Sequence, residues 1–95
     1  MQGGYRPVLI VQNDVGNKYS PTTTVVPMTS SQNKPKLPTH VPVDCLNRPS
    51  VILCEQIQTI DMRQLGDKVG RMPATIMNQV VKAMQVQFSG EYQIA

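Results

Sequence analysis

The sequence predicts a small, mainly β fold, a barrel or strongly bent sheet of four or five short strands closed by one C-terminal helix. Three observations predict it. The 95 residues include eight prolines and six glycines, which favour frequent turns over long helices. Runs rich in β-branched residues recur between those breakers. Only near the C-terminus do apolar residues return at helical spacing. The length suits one domain over 1–95, burying roughly two thirds of its unfolded surface. No repeat, low-complexity tract or domain boundary interrupts it.

Arg6-Pro7-Val8-Leu9-Ile10-Val11 is a short apolar run with glycines before it and Asn13-Asp14-Val15-Gly16-Asn17 after it. It reads as a strand buried on both faces that ends in a turn. Ser20-Pro21 is a turn signal, and Thr22–Val26 is a second strand. Pro27 points to an edge position or a bulge near Met28-Thr29, because proline cannot donate to a ladder. Residues 30–38 form a polar, basic loop. Thr39–Val43 is a short strand, Asn47-Arg48-Pro49 a turn, and Ser50–Cys54 a strand with room to continue to Thr59. Asp61 can cap a brief helical turn over Met62–Leu65, stopped by Gly66, and Val69–Met72 fits a last strand. Over Pro73–Phe88 the residues Ile76, Val80, Met84 and Phe88 recur every fourth position, with Met77 and Val81 beside them. That stripe predicts a helix packed on the sheet, with Pro73 suited to its first turn.

Composition narrows function. No apolar run reaches the roughly 20 residues that span a bilayer, so no membrane role is expected. No signal-peptide pattern precedes the first strand, which points to the cytoplasm. Cys45 and Cys54 form no CxxC pair, and His40 is the single histidine. A structural metal site would need unusual ligands, so the cysteines read as small hydrophobes in a reducing compartment, with no metal and no cofactor. The whole charge surplus lies in residues 1–53, where five basic side chains meet two acidic ones; residues 54–95 balance. A face meeting a polyanion and an ordinary solubility charge both fit that distribution.

Five blocks carry a resemblance: QGGYRPVLIVQND (2–14), NKYSPT (17–22), KPKLPTHV (34–41), SVILCEQIQTID (50–61) and RQLGDKVGRM (63–72). Their order resembles that of MazF/PemK toxins over nearly the whole chain. The resemblance implies a compact SH3-like barrel, a homodimer, and metal-independent cleavage of single-stranded RNA or mRNA at a short recognition sequence. It implies attack by the ribose 2′-hydroxyl, leaving a 2′,3′-cyclic phosphate and a 5′-hydroxyl. It also implies a MazE-like antitoxin as partner, acidic and flexible, and DNA binding only as a toxin–antitoxin complex. The family's catalytic Arg and Thr fall on Arg6 and Thr29. A guanidinium presents a fixed fork of donors to phosphate, and a hydroxyl adds one more. Because arginine stays charged in proteins, Arg6 is expected to stabilise the transition state and not to exchange protons.

Lys34 and Lys36 are candidates to hold RNA phosphates, and Asn13, Ser30, Ser31, Gln32 and Gln56 to read splayed bases. For these residues a solvated polar loop is the competing expectation. His40 is expected to make a structural hydrogen bond, and Glu55 to orient a neighbour or form an ion pair.

The chain departs from the family pattern in three places. A segment resembling KRGDVYYADL, ending in SEQGG, normally precedes the GGxRP block, and Met1 stands where an acidic residue is usual. The expectation is that this form lacks the family's first strand, begins at an internal start, and cleaves weakly. The Asp44–Ser50 connection is short, and Gln58 replaces an arginine common in the family. Two other functions stay open at this level: a gyrase-inhibiting toxin of CcdB type, and an inactive remnant that binds antitoxin.

Overall fold

The computed structural model describes residues 6–30, 37–44 and 49–94. In chain order the elements are β1 (Val8–Ile10), α1 (Asp14–Tyr19), β2 (Thr22–Thr29), β3 (His40–Val43), β4 (Ser50–Leu53), β5 (Gln58–Asp61), a 3₁₀ turn (Met62–Gln64) and α2 (Ala74–Gln87). All strand pairs are antiparallel, and β2 is the hub, bonded to β1, β4 and β5; β3 then pairs with β4. This is the expected mainly β sheet with one C-terminal helix.

Alternation along β2 separates two faces. Val26 and Met28 point to one, where they join Val41, Val43, Ile52 and Cys54 under Val80 and Ala83 of α2. Thr23, Val25, Pro27 and Thr29 occupy the other. α2 fits the expected span within one residue at each end. Its packed stripe is Ile76, Val80, Ala83 and Met84, whereas Phe88 is 56% exposed, because the helix has ended before that side chain reaches the sheet.

Pro27 is not at an edge, since β2 has partners on both sides. The Val11 N–H bonds the Thr24 carbonyl and the Met28 N–H bonds the Pro7 carbonyl, so residues 24 and 28 address β1. By alternation the nitrogen of Pro27 faces the opposite side. There the partner strand is interrupted: β4 pairs Met28 with Ile52, β5 pairs Val25 with Gln58, and three extra residues lie between the two registers. The missing donor falls at this break, where it removes no ladder bond.

Three other expectations change. The turn after β1 is a six-residue helix, capped by the Asn13 side chain accepting from the Gly16 N–H. Asp61 does cap a short turn, in a capping box with Gln64, but the turn ends at Leu65 and not through Gly66. Residues 66–73 form no strand; they are mostly exposed, and only Met72 reaches the core.

Candidate active site and RNA-facing surface

The geometry that joins the two expected catalytic residues follows from strand register. Val8 lies opposite Pro27, and the Pro7–Met28 hydrogen bond of 3.2 Å carries the same pairing one residue further. One more step sets Arg6 opposite Thr29. Directly opposed residues in an antiparallel pair share a face, with Cα atoms about 4.5–5.5 Å apart. Thr29 in turn pairs with Val51, and Val51 with Pro42. Arg6, Thr29, Val51 and Pro42 thus form one row across four strands, on the face turned away from α2. Arg6 is exposed and Thr29 half-buried, and the continued register brings the two positions level on one face. The 23-residue separation of Arg6 and Thr29 is closed by a single antiparallel pairing, β1 with β2.

The expected RNA-contacting residues divide. Ser30 follows Thr29 directly and is exposed. Gln56 is exposed in the break between β4 and β5. Asn13 lies beyond the far end of β1, at the N-terminus of α1, with its amide oxygen engaged as a cap. Ser31, Gln32, Lys34 and Lys36 lie outside the described residues, as do Cys45 and Arg48.

Sequence reasoning foresaw partners for His40 and Glu55 but not that they are each other's. His40 Nε2 and Glu55 Oε2 are 3.0 Å apart, and the Thr39 hydroxyl donates to Glu55 Oε1 at 3.1 Å. Both carboxylate oxygens are thereby used to fasten the start of β3 to the turn after β4. Burial pushes the Glu55 carboxyl upward, but hydrogen bonds from its own backbone N–H, His40 and Thr39 outweigh this and hold it below the usual carboxylate value. Next to it, burial and the Glu55 charge push the fully buried Cys54 thiol up to about 11, leaving a free but unreactive side chain. Among the described residues no three His, Cys, Asp or Glu side chains are grouped to hold a metal. No helix among them is long and apolar enough to cross a membrane.

Comparison with known proteins agrees with this architecture. A Bacillus subtilis protein named endoribonuclease EndoA is 47% identical over 92 residues, which span 93% of this chain and 79% of that protein. The solved Mycobacterium tuberculosis toxin MazF-mt6 superposes with a TM-score of 0.80 at 33% identity, covering 92% of this chain and 89% of its own. A mycobacterial endoribonuclease solved in complex with its cognate antitoxin shares the fold, at TM-score 0.82 and 23% identity, covering 96% and 87% of the two chains. The family described as PemK-like, MazF-like toxin of type II toxin–antitoxin system matches residues 1–88, and this chain belongs to it.

Proposed function

We infer that this endoribonuclease toxin cleaves single-stranded RNA, mRNA included, without a metal ion, using Arg6 and Thr29 at the reacting phosphate. The observation that carries the reading is the β1–β2 register, which supports a guanidinium and a hydroxyl level on one face of the sheet. In the proposed step the ribose O2′ forms a bond to the adjacent phosphorus and loses its proton to solvent base. The P–O5′ bond breaks, and O5′ leaves with the electron pair and takes up a proton. The products are a 2′,3′-cyclic phosphate and a 5′-hydroxyl. Charge grows on the two non-bridging oxygens, to which the Arg6 fork offers paired donors and the Thr29 hydroxyl one donor more. Arg6 stays charged throughout, so its contribution is electrostatic.

Around that centre, Ser30, Ser31, Gln32 and Gln56 contact bases, and Lys34 and Lys36 contact phosphates; Asn13, capping α1 beyond the far end of β1, is left to the structural role of a helix cap. The toxin works as a single-domain homodimer in the cytoplasm. A MazE-like antitoxin covers the RNA groove with an acidic segment that orders on binding. The mycobacterial relative solved with its antitoxin supports that partner class. The assay is direct: incubate the protein with mixed-sequence RNA in EDTA and map the ends. Cyclic-phosphate and 5′-hydroxyl ends that vanish in Arg6→Ala are expected. RNA left intact by the wild-type protein, or cleavage that requires added divalent metal, overturns the reading.

A further inference from the structure

α1 poses a physical problem. A six-residue helix is far below the length that is stable alone, and none of its residues is buried, so the core does not hold it. It is fastened instead by polar bonds. Gln12 Nε2 donates to Asn17 Oδ1 at 3.2 Å and to the Thr22 carbonyl at 3.1 Å, and Asn17 Nδ2 donates back to the Gln12 carbonyl at 3.0 Å. The fully buried Thr23 hydroxyl donates to Asn17 Oδ1 at 2.7 Å, and Asn13 caps the N-terminus. A Cβ at position 16 would come within 2.8–2.9 Å of the Gln12 side chain, so a larger residue there would displace Gln12 from its bonds. The result is a small rigid element that presents its large side chains outward. Tyr19 is 75% exposed, and the Lys18 ammonium lies 5.3 Å from the centre of its ring.

Position gives that platform a use. Thr23, which α1 covers, and Thr29 are both odd-numbered residues of the unbroken strand β2, so α1 and the Arg6–Thr29 pair stand on the same side of the sheet. Six residues separate them, about 20 Å at strand rise. That spans about six stacked nucleotides, and fewer if the strand is extended. An exposed aromatic ring with a cation beside it offers the two groups that bind single strands without reading sequence: a stacking face and a phosphate partner. Of the nearby acidic side chains, Asp61 is held by Arg63 at 2.9 Å, and Asp14, one helical turn before Lys18, makes no ion pair with it.

We propose that α1 is a distal subsite for the single-stranded RNA that flanks the cleaved bond, with Tyr19 stacking on a base and Lys18 pairing with a phosphate. This rests on the endoribonuclease reading. It predicts affinity that grows with RNA length, without sequence choice at this position.

The test uses fluorescein-labelled, mixed-sequence RNAs of 4 and 12 nucleotides carrying 2′-O-methyl groups, so that no nucleophile is present. Binding by anisotropy is compared for wild type, Tyr19→Ala, Tyr19→Phe and Lys18→Ala, with circular dichroism confirming the fold of each. Tyr19→Ala should bind the 12-mer roughly tenfold more weakly than wild type, in the range a lost base stack produces, and the 4-mer equally well. Tyr19→Phe should bind both like wild type, and Lys18→Ala should show a shallower dependence of 12-mer binding on salt. Wild-type affinity for the 12-mer in Tyr19→Ala overturns the subsite alone. Failure of the wild-type protein to bind either RNA overturns the endoribonuclease reading and this inference with it.

Discussion

The two helices are held to the same sheet by opposite means. α2 is 14 residues long and is fixed by burial, with Val80 and Ala83 closed over Val26, Met28 and Ile52. None of the residues of α1 is buried, and the helix is fixed by side-chain hydrogen bonds from Gln12, Asn17 and Thr23. Burial is strong but does not fix direction, because apolar contact tolerates small shifts. Hydrogen bonds contribute less apiece but require set distances and angles. The side held by burial therefore supplies stability, and the side held by polar bonds places exposed groups. Arg6, Thr29 and Tyr19 all stand on the second side.

The largest expected effect breaks the first side. Ile52 is fully buried at the centre of the core cluster, and Ile52→Ala should lower unfolding free energy by about 2–5 kcal/mol in a denaturant titration. Next in size is a change on the other side that leaves the fold alone. Arg6→Ala removes an exposed side chain, so its denaturation midpoint should match the wild type. Its cleavage rate should fall by roughly 10²–10³-fold, as expected when one transition-state donor is lost. A matching loss of stability in Arg6→Ala would erase the distinction between the two sides.

How much of this was legible in the sequence follows the same division. α2 announced itself, because burial of a stripe leaves a period that can be read, and only Phe88 misled, by continuing the period past the helix end. Most strands were legible for the same reason, β-branched runs bounded by breakers, but β5 was not: Ser50–Cys54 reads as one strand with room to continue to Thr59, whereas a turn after Leu53 ends β4 and β5 starts anew at Gln58. α1 was not, because a helix held by Asn17 and Gln12 has no apolar period; Asn13 to Asn17 carries turn residues and reads as a turn. The capping residue and the glycine were visible, but their partners were not. The pairing of Glu55 with His40 was hidden too, since nothing local links positions 40 and 55. Arg6 and Thr29 were identified by motif, and the register then supplied the reason that they belong together. Val69–Met72 was read as a strand from its apolar ends, yet a strand needs a free edge to pair with, and the sequence does not display edges.

A moderate effect is expected from the polar lock itself. Asn17→Ala leaves the buried Thr23 hydroxyl without its acceptor and Gln12 without two of its bonds, at a cost of about 1–3 kcal/mol. The comparison gains a sharper form if the folded variant, assayed below its unfolding transition, still cleaves a 4-nucleotide RNA at the wild-type rate but has lost the advantage of longer RNA. The α1 lock would then serve placement of that helix and not the reacting phosphate. Loss of short-RNA cleavage as well would tie α1 to the centre and remove the boundary drawn between them.

The smallest effect concerns the second polar clamp, and its sign can be worked out. The ordinary value for the Glu55 carboxyl is 4.5, and in the folded protein it lies lower: burial raises it, but the bonds from its own N–H, His40 and Thr39 lower it by more. As pH falls, the unfolded chain therefore takes up a proton at this position before the folded chain does. Glu55 contributes stability above the ordinary value, and that contribution drains away as pH falls through the folded value. Glu55→Gln keeps the size and part of the hydrogen bonding but cannot titrate. Wild type should be the more stable of the two at pH 7, and the gap should close as the pH is lowered below about 4.5. The other carboxylates give both proteins the same background slope, so the difference between their denaturation curves reports on Glu55 together with His40, which faces it at 3.0 Å. A gap that stays constant from pH 7 to pH 3 would mean that the clamp acts through its shape and not through its charge. The start of β3 would then belong with α2, among the parts held by packing.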